Sequence, residues 1–514
     1  MSEDPRTDTV DGVLRRSAAR RPEHTALTFD DRSWTYRELD DAVTRAAGRL
    51  LALGLAPGDR VAGYGVNSDA YVIGFLACSR AGLVHVPVNY ALTGDELRYL
   101  LAQSGSRAVL VDPALRSSLE SVRADLGVEH VVTLRGEGDS LLEWTRDGDV
   151  PQVPARVSGG DLAQLLYTSG TTSKPKGAMM THGALVHEYV SSVIALGLNA
   201  EDNPLICMPL YHSAGMHVFM LPYLSVGATV HLMQTPDIPE ILRRIEADRI
   251  GSLFLAPTVW VPLAAHPDLE RRDLSSLRKA QYGASIMPVT VLNRLRERYP
   301  DLGFYNCFGQ SEIGPLATVL GPDEHEARPS SCGRAVYFVE TRVVDANGDD
   351  VPDGEPGEIL YRSPQLCQGY WDNPEATAEA FRDGWFHSGD LVTRDAQGYI
   401  TVVDRIKDVI NTGGILVASR EVEDALYTHP GVAEVAVIGV PDEKWIEAVT
   451  AVVVLRDDAD PDVVTAQVLV DHVRDRIAPF KVPKRIRFVS TLPRNQSGKL
   501  LKRELRAARH AAHA

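Results

Sequence analysis

The sequence predicts a multi-domain protein of the α/β class. Short apolar, β-branched segments alternate with amphipathic segments over most of the chain, which is typical of strands and helices packed in layers. At 514 residues the chain is too long for one ordinary domain, and it can bury at least one large core. Hydrophobic residues make up 44% and charged residues 24%, so we expect neither disorder nor a fibrous repeat.

Apolar and amphipathic segments follow one another in the first half of the chain. Runs of apolar and β-branched residues predict buried strands at residues 107–111, 131–134, 229–232 and 251–255. Apolar residues at helical spacing predict helices over residues 93–103 and 238–247. Further on, Pro, Asp and Gly at turn spacing predict a hairpin loop at residues 352–357.

The residues that follow Lys407 have a pattern of their own. They predict a helix at about 420–429, strands at 434–439 and 448–455, a helix at 463–474, a strand at 486–489 and a basic helix after Gly498. We therefore expect a small α+β domain hinged near Lys407, which divides the chain into domains at 1–406 and 407–514.

The charge and the cysteines exclude several classes of protein. With 69 Asp and Glu against 53 Lys and Arg, the net charge is −16, which argues against a nucleic-acid partner because no continuous positive surface is expected. The five cysteines are widely separated and include no C-x-x-C pair, which predicts buried free thiols and neither a disulfide framework nor a zinc site. They are Cys78, Cys207, Cys307, Cys332 and Cys367.

The start of the sequence, MSEDPRTDTV, is polar, and no apolar run reaches the ~20 residues that span a bilayer. We therefore expect no signal peptide, no transmembrane segment and a soluble, cytoplasmic protein. The basic run at residues 499–509 would at most touch an anionic membrane surface weakly. The simpler interpretation of this run is a solvated helix, with Lys502 as one more surface lysine.

The segment 165–177, Leu-Leu-Tyr-Thr-Ser-Gly-Thr-Thr-Ser-Lys-Pro-Lys-Gly, joins an apolar strand to a loop rich in hydroxyl groups. Hydroxyls and backbone N–H groups in such a turn form a nest for phosphate oxygens, and lysines add positive charge. The loop is not a Walker A motif, because Pro175 stands where that motif has Gly before Lys. By composition alone a solvated Ser/Thr-rich loop is the simpler interpretation, so other segments must decide.

Four further segments decide between these interpretations. They are Phe308-Gly-Gln-Ser-Glu-Ile-Gly314, Gly384-Trp-Phe-His-Ser-Gly-Asp-Leu391, Asp404-Arg-Ile-Lys-Asp408 and Pro493-Arg-Asn-Gln-Ser-Gly-Lys499. Together with the hydroxyl-rich loop, in this order and at these separations, they resemble the adenylate-forming superfamily. That superfamily includes acyl- and aryl-CoA synthetases, firefly luciferase and nonribosomal peptide adenylation domains. The resemblance runs from Trp34-Thr-Tyr-Arg-Glu-Leu39 to the C-terminus.

The resemblance implies a large α/β N-terminal domain of several subdomains and a small C-terminal lid that rotates about the hinge. It also implies a reaction in two steps with ATP, Mg²⁺ and CoA. A carboxylate first attacks the α-phosphate of ATP to give acyl-AMP and pyrophosphate. The lid then turns, and a thiol, usually that of CoA, displaces AMP.

The resemblance assigns residues to ATP and to the metal. The triphosphate would be bound by Thr168, Ser169, Gly170, Thr171, Thr172 and Lys176. Glu312, with Thr168, would hold Mg²⁺, a hard cation that prefers oxygen ligands. The adenine slot and its surroundings would be formed by Gly283, Ala284, Ser285, Phe308, Gly309 and Ser311. Fixed cations and N–H donors are the main catalytic means for a phosphorus centre that gathers negative charge.

The resemblance also assigns residues to the ribose, to the substrate carboxylate and to the acyl pocket. Asp390 would accept the ribose hydroxyls, and Arg405 would add a ribose or phosphate contact. Lys499, on the lid, would reach the carboxylate and the α-phosphate only when the lid is closed. His212, in Tyr211-His-Ser-Ala-Gly215, resembles the residue that gates the acyl pocket, although a structural histidine is the alternative. His85 and His217 match no motif and are interpreted as structural.

Several positions depart from the commonest family pattern. Ser173 replaces a usual Gly, Ser311 a usual Thr, Ser419 a usual Pro and Ile446 a usual Gly. Ile415 and Leu416 replace a usual polar pair in the loop that the lid brings to the thiol step. Gly414 remains, and a glycine lets the backbone lie flat against a narrow pantetheine tunnel. We therefore still expect CoA, but this loop weakens the inference.

The leading hypothesis is an ATP-dependent acyl-CoA ligase. The expected pocket segments, residues 212–221, 255–259, 282–285 and 309–318, are mainly apolar or small, which favours a medium- or long-chain fatty acid or an aryl acid. The altered Ile415-Leu416 pair leaves open the loading of an acyl-carrier protein, or ATP-dependent diazotisation through activated nitrite. A nucleotide sensor with a degenerate site is the alternative outside enzymes. A monomer or a homodimer is expected from the family.

Overall fold

The computed structural model describes residues 8–146, 153, 157–168, 174–285, 287–413, 415–442, 444–494 and 500–507. The chain divides into two compact units, the first made of residues up to 341 and of residues 361–386, the second of residues 342–360 and of those from 387 onward. Strands and helices alternate in both, so the predicted α/β class is confirmed. The domain limits at 1–406 and 407–514 are those of the predicted N-terminal domain and of the lid expected to rotate at a hinge near Lys407. These limits and the hinge stay predictions.

The first unit alternates strands with helices along nearly its whole length. Its strands before residue 336 are β1 (Thr25–Phe29), β2 (Arg32–Thr35), β3 (Arg60–Tyr64), β4 (Val84–Val88), β5 (Ala108–Val111), β6 (His130–Thr133), β7 (Leu162–Thr168), β8 (Lys176–Thr181), β9 (Pro204–Ile206), β10 (Val230–Leu232), β11 (Ser252–Leu255), β12 (Lys279–Gly283), β13 (Gly303–Phe308), β14 (Thr318–Leu320) and β15 (Arg334–Ala335).

The helices of this unit lie between these strands, except that α1 precedes β1 and α11 follows β15. They are α1 (Val10–Arg20), α2 (Tyr36–Ala52), α3 (Asp69–Ala81), α4 (Gly94–Ser104), α5 (Arg116–Glu120), α6 (His182–Ala195), α7 (Leu221–Val226), α8 (Ile238–Ala247), α9 (Pro257–Ala265), α10 (Val289–Arg298) and α11 (Pro374–Ala380). A π-helix, Ala214–Met220, precedes α7.

Two sheets organise the first unit. One has the strand order β6-β5-β3-β4-β7-β8, and the other has the order β15-β14-β13-β12-β11-β9-β10-β1-β2. The inner neighbours pair in parallel, and antiparallel pairs occur only towards the edges, at β7–β8, β1–β2, β13–β14 and β14–β15. Every residue of β4, β5 and β11 is buried, as expected of parallel strands covered on both faces. This arrangement places the ends of β7, β12 and β13 where the loops with the predicted site residues begin.

The elements predicted for the first half of the chain are all present. The strands are β5, β6, β10 and β11 and the helices are α4 and α8, with ends that differ from the predictions by no more than one residue. Helix α8 starts as predicted because the Asp237 side chain accepts a hydrogen bond from the Glu240 backbone and Pro239 occupies the first turn.

A third group of strands lies within residues 340–405. They are β16 (Glu340–Val344), β17 (Gly357–Arg362), β18 (Phe381–Arg382), β19 (Trp385–Arg394) and β20 (Ile400–Arg405). In the second unit the order is β16-β17-β19, and β20 pairs with β19. The predicted loop at 352–357 lies between β16 and β17, where the Glu355 N–H donates to the Pro352 carbonyl and Gly354 has a φ of 89°.

The rest of the second unit is the small α+β arrangement that the sequence predicts. It contains β21 (Ile410–Thr412), β22 (Ile415–Val417), α12 (Ser419–Tyr427), β23 (Val432–Asp442), β24 (Ile446–Leu455), α13 (Ala466–Arg474), β25 (Arg485–Phe488) and α14 (Lys502–Ala507). The sheet order is β22-β21-β24-β23, with β25 parallel to β24. Helix α13 starts three residues later than predicted, because the Thr465 side chain accepts a hydrogen bond from Val468 N–H and caps the helix there.

Two expectations about the whole chain are tested by these elements. All five cysteines are buried and unpaired, as predicted. Among the described helices, none contains an apolar stretch long enough to cross a lipid bilayer.

A chain of buried polar side chains crosses the core of the first unit. Tyr189 Oη lies 2.9 Å from His217 Nδ1, His217 Nε2 lies 2.7 Å from Gln164 Oε1, and Gln164 Nε2 lies 3.0 Å from His85 Nδ1. Burial lowers the pKa of both His85 and His217 to about 3, so both rings are neutral at physiological pH. The two histidines therefore fill a structural role, as the absence of a motif around them indicates.

These two pKa values make the folded state sensitive to acid. Between the folded pKa of about 3 and the unfolded pKa of about 6.5, the unfolded chain binds more protons, so stability decreases as the pH falls through this range. We expect His217→Gln to lower the number of protons taken up on unfolding by about one. The slope of the free energy of unfolding against pH should then decrease by about 1.4 kcal/mol per pH unit. Urea unfolding at several pH values measures it, with His266→Gln, at a half-buried position, as control. An unchanged slope would show that His217 does not remain neutral in the fold.

Candidate active site

Glu312 lies at the centre of the candidate site in the first unit. It belongs to a single 3-10 turn, Ser311–Ile313, that follows β13, and it is 7% exposed. Its Oε1 atom accepts hydrogen bonds from Thr168 Oγ1, at 3.2 Å, and from Tyr370 Oη, at 3.0 Å. Thr168 is the last residue of β7, so two predicted site residues from different sheets meet directly.

The backbone of the Glu312 loop is closely packed. Gly309 has a φ of 152°, and a Cβ atom at this position would lie 2.0 Å from the Pro315 carbonyl oxygen, so only glycine fits. The Ala317 N–H donates to the Phe308 carbonyl at 2.8 Å, and the Cys367 N–H donates to the Glu312 carbonyl at 2.8 Å. The sequence predicts that Gly309 contacts the nucleotide. The close packing is a separate, structural reason for a glycine at this position.

Two buried side chains, Glu188 and Gln365, form hydrogen bonds with the backbone of this loop. Both side chains are fully buried. Gln365 Nε2 lies 2.5 Å from Glu188 Oε2 and 3.2 Å from each of the carbonyl oxygens of Ile313 and Leu316. Glu188 Oε1 accepts a hydrogen bond from the Leu316 N–H at 3.2 Å. Burial raises the pKa of Glu188 well above its ordinary value.

Sequence reasoning missed Glu188, Gln365 and Tyr370. Gln365 and Glu188 are 177 positions apart, and neither belongs to a segment with a recognisable chemical pattern. Tyr370 follows Gly369 in a segment that reads as an ordinary turn. Only the folded chain brings these three side chains to the Glu312 loop.

The adenine-slot residues lie at the carboxyl ends of two neighbouring parallel strands. Gly283 ends β12 and pairs with Cys307 of β13, and a Cβ at Gly283 would lie 2.3 Å from the Cys307 carbonyl oxygen. Ala284 has a φ of 65°, a conformation that costs free energy for a residue with a side chain and is often found at functional sites. Ala284 and Ser285 are exposed, and Phe308 is half-buried, so this edge remains open to a ligand.

Lys176 begins β8 directly opposite Thr168 of β7. Its Nζ atom lies 5.0 Å from the ring centroid of Tyr370, within the range of a cation–π contact. Lys176 is therefore held beside Thr168 and Tyr370, two of the side chains around Glu312. The four other predicted triphosphate residues, Ser169, Gly170, Thr171 and Thr172, connect β7 to β8 and lie outside the described residues.

The Tyr211–Gly215 segment leads into the π-helix, an irregular form that is common at functional sites. His212 is half-buried, and burial lowers its pKa to about 4, so its ring is neutral at physiological pH. The Tyr211 ring lies 4.5 Å from the His212 ring, centroid to centroid. The next residue, Ser213, has its Oγ 3.0 Å from the Oγ of Ser311, which links this segment to the Glu312 turn.

Asp390 and Arg405 form an ion pair in the second unit. They lie opposite each other on β19 and β20, and Arg405 Nε is 2.6 Å from Asp390 Oδ1. The Asp390 side chain is 3% exposed and that of Arg405 is 35% exposed. The Asp390 N–H donates to Ser388 Oγ, and the Gly389 N–H donates to Glu358 Oε1, so the strand that presents Asp390 is firmly held.

Two of the departures from the family pattern in the second unit, at Ser419 and Ile446, have structural explanations. Ser419 N–H and Oγ both donate to Asp404 Oδ2, at 2.6 and 2.7 Å, and a proline here would have no N–H to donate. Ile446 has a φ of 66°, which explains why glycine is usual there. Ile415 and Leu416 are 47% and 66% exposed. Gly414 lies outside the described residues.

Two lysines near the C-terminus were given different roles by the sequence. Lys502 was expected to be solvated, and this is wrong: its Nζ lies 2.8 Å from Glu423 Oε1 and 2.6 Å from Ser419 Oγ, with its side chain 13% exposed. This contact is favourable because the Glu423 side chain is only 15% exposed, and a buried carboxylate needs a cationic partner. Lys499, the predicted catalytic lysine, lies outside the described residues.

Comparison with known proteins identifies the family. The sequence matches the family described as AMP-binding enzyme over residues 14–371, and a companion family, AMP-binding enzyme C-terminal domain, over residues 421–499. The chain belongs to the AMP-binding enzyme family. The resemblance to the adenylate-forming superfamily is therefore confirmed, and this AMP-binding enzyme is one of the acid–thiol ligases.

Relatives of this AMP-binding enzyme are similar over almost the whole chain. A feruloyl-CoA synthase from Amycolatopsis sp is 39% identical over 491 residues, which are 96% of this chain and 97% of the relative. An indoleacetate–CoA ligase from Aromatoleum aromaticum is 36% identical over 96% of each chain. Among solved structures, an anthranilate CoA ligase in complex with anthranoyl-AMP is similar with a TM-score of 0.91, at 29% identity over 99% of each chain.

The Gln365 contacts predict a measurable loss of stability on substitution. Gln365→Ala leaves Glu188 Oε2 and the carbonyls of Ile313 and Leu316 without the Gln365 donor, so we expect the free energy of unfolding to decrease by about 3 kcal/mol. Urea denaturation followed by tryptophan fluorescence measures the change. The exposed Gln234→Ala is the control. A loss below about 0.5 kcal/mol, typical of surface sites, would contradict this role for Gln365.

Proposed function

We propose that this AMP-binding enzyme is an ATP-dependent acyl-CoA ligase that prefers aromatic carboxylic acids. It would adenylate the acid with release of pyrophosphate and then transfer the acyl group to the thiol of CoA. The observation that carries the proposal is the position of Glu312, whose carboxylate accepts hydrogen bonds from Thr168, the last residue of β7, and from Tyr370. A carboxylate held there is suited to the metal that accompanies ATP.

The residues around Glu312 suit Mg²⁺. The carboxylate and the Thr168 hydroxyl are hard oxygen ligands, and in the described part of the chain no Lys, Arg or His forms an ion pair with Glu312. No group of three or more His, Cys, Asp or Glu side chains capable of holding a metal occurs among those residues either. Mg²⁺ is commonly held by one or two carboxylates together with substrate phosphates, which fits such a sparse site. When bound, it would neutralise negative charge on the phosphates.

The protein's own groups would complete the adenylation site. Lys176, beside Thr168, would place a positive charge near the phosphates, and the residues from Thr168 to Thr172 would donate hydroxyl and N–H groups to them. Asp390 would accept the ribose hydroxyls, with Arg405 orienting the carboxylate through their ion pair. Lys499 would stabilise the charge that develops between the carboxylate and the α-phosphate.

A hydrophobic acid is supported by the side chains that follow His212, and an aromatic acid by the names of two relatives. The segment after His212 contributes apolar, buried side chains at Met216, Val218 and Met220, and the Phe219 ring is stacked on Phe254 at 4.4 Å between centroids. The two relatives described above carry the names of an aryl-propenoic acid and of an indole acid. His212, with a pKa of about 4, would be a neutral donor to the substrate carboxylate. Fatty acids of medium or long chain are the alternative class.

One feature of the second unit favours an acceptor of the acyl group other than CoA. Ile415 and Leu416 stand exposed on the β21–β22 hairpin, where a polar pair is usual. Exposed apolar side chains of this kind suit a protein surface better than the polar parts of CoA. An acyl-carrier protein is therefore the second candidate for the thiol.

Product analysis by mass spectrometry tests the substrate class and the acceptor together. Purified enzyme receives ATP, Mg²⁺, CoA and pooled hydroxycinnamic, indole-acetic, benzoic and fatty acids, and a parallel sample lacks CoA. We expect AMP and an aromatic acyl-CoA only in the complete mixture, and no product from Glu312→Gln. Fatty acyl-CoA alone would overturn the preference for aromatic acids. Acyl-adenylate with no thioester would overturn CoA as the acceptor and direct the search to carrier proteins.

Lys499 should act in the first step only. We expect Lys499→Ala to slow adenylation by ~10²-fold or more, because a fixed positive charge at the developing negative charge is lost. Thiolation of a supplied acyl-adenylate should remain mostly intact. The two steps are measured separately by pyrophosphate exchange and by acyl-CoA formation, with Lys481→Ala, which removes an ion pair to Glu421 and a contact with the Phe480 ring, as control. Equal loss of both steps would contradict this role.

A further inference from the structure

Tyr370 occupies a distinctive place beside the proposed metal ligand. Its side chain is 8% exposed, and its hydroxyl donates a hydrogen bond of 3.0 Å to Glu312 Oε1. No motif in the sequence pointed to this residue, and the family resemblance assigned it no role. The proposed function uses this hydrogen bond only to locate Glu312 and gives the Tyr370 hydroxyl no task of its own.

The ring of Tyr370 is fixed by contacts that do not involve Glu312. Its backbone N–H donates to Thr377 Oγ1 at 2.9 Å, and its backbone bridges to Ala178 of β8. The preceding Gly369 has a φ of 129°, and a Cβ there would lie 2.5 Å from the Thr377 side chain. Lys176 Nζ lies over the ring face at 5.0 Å. The hydroxyl is therefore presented by a rigid segment, which is what a positioning group requires.

Both donors to Glu312 use the same carboxylate oxygen. Thr168 and Tyr370 donate to Oε1, whereas in the described part of the chain no hydrogen bond to Oε2 is present. A carboxylate rotates freely about its last side-chain torsion unless its oxygens are held, since that torsion has a broad energy minimum. Two donors on Oε1 from different strands and loops select one orientation of the group.

From this geometry we infer that Tyr370 is a positioning residue for the metal. Its hydroxyl, together with Thr168, would hold Glu312 so that Oε2 is presented to the divalent cation of the metal–ATP complex. The inference rests on the proposed function, because it takes Glu312 as the metal ligand. Partners that orient a metal-ligating side chain typically change metal affinity by 10- to 100-fold when they are removed.

The direct test is Tyr370→Phe, which removes the hydroxyl and keeps the ring over which Lys176 lies. Binding of Mn²⁺ in the presence of ATP, without an acid substrate, is followed by electron paramagnetic resonance. We expect the Mn²⁺ affinity to decrease about 10-fold. In pyrophosphate exchange, the Mg²⁺ concentration for half-maximal rate should rise by more than kcat falls. An unchanged Mn²⁺ affinity would overturn the inference.

A matched control separates positioning from a general loss of packing. Tyr36 is also buried, and its hydroxyl donates to the carbonyls of Leu224 and Ala228, away from the site. Tyr36→Phe removes the same atom from a similar environment and should leave the Mn²⁺ affinity unchanged. A decrease as large as that of Tyr370→Phe would overturn the specific role of Tyr370.

A double-substitution cycle tests whether Tyr370 acts through Glu312. In a Glu312→Gln background, Tyr370→Phe should change the Mn²⁺ affinity by less than about 2-fold, because the group that it orients is already altered. A full additional 10-fold loss would mean that Tyr370 acts independently and would overturn the inference. If Glu312→Gln alone leaves Mn²⁺ binding unchanged, the metal site of the proposed function fails, and the inference with it. Wild-type binding that depends on Glu312 but not on Tyr370 would reject the inference alone.

Discussion

The hydrogen bonds from Gln365 to the carbonyls of Ile313 and Leu316 fix the loop on which the candidate site depends. Two buried carbonyls without a donor would each cost free energy, so the loop is stable only in the conformation that satisfies them. Glu188 completes the arrangement by accepting from the Leu316 backbone and lying against Gln365. Because these groups are fully buried, their bonds are stronger than those exposed to water, and small displacements are costly. The position of the Glu312 carboxylate follows from this buried support.

The surroundings of Glu312 also illustrate how a protein with a negative net charge can form a local site that suits a polyanion. The chain carries a net charge of −16, so the whole surface does not attract phosphates. The local arrangement differs, with Lys176 opposite Thr168 and hydroxyl groups directed to the carboxylate. A carboxylate that needs no lysine or arginine partner is available for a divalent cation, which reverses the local charge. Placement of a few groups therefore matters more than total charge.

The second unit shows that departures from a family pattern have separate causes. Ser419 replaces a residue without an N–H and uses its own N–H and hydroxyl to bind Asp404, so this change adds structural contacts. Ile446 keeps a left-handed backbone that glycine would adopt at less cost. Ile415 and Leu416 gain no buried packing, since both remain substantially exposed. Ile446 is likewise exposed, at 57%, on the strand that pairs with β21. The changes at Ile415, Leu416 and Ile446 therefore add apolar surface, whereas the change at Ser419 adds buried contacts.

The sequence by itself determined the α/β class, the family and the positions of most secondary structure. Helix α8 and strand β5 were predicted closely because capping residues, apolar spacing and β-branched runs act over a few neighbouring residues. The motif around Glu312 was recognisable for the same reason, since its residues are contiguous. The inward direction of Lys502 was missed because its partner, Glu423, is remote in the chain.

Only the tertiary structure decided which side chains support the motif. The contacts of Tyr370 with Glu312 and of Gln365 with Glu188 join residues 58 and 177 positions apart. Such pairs arise from the order of strands in the sheets and the paths of the connecting loops, and neither leaves a local pattern. Burial of a polar group is likewise a property of the whole fold, as the depressed pKa values of His85 and His217 show. Short-range chemistry is therefore read from sequence, whereas its long-range support is set by the folded chain.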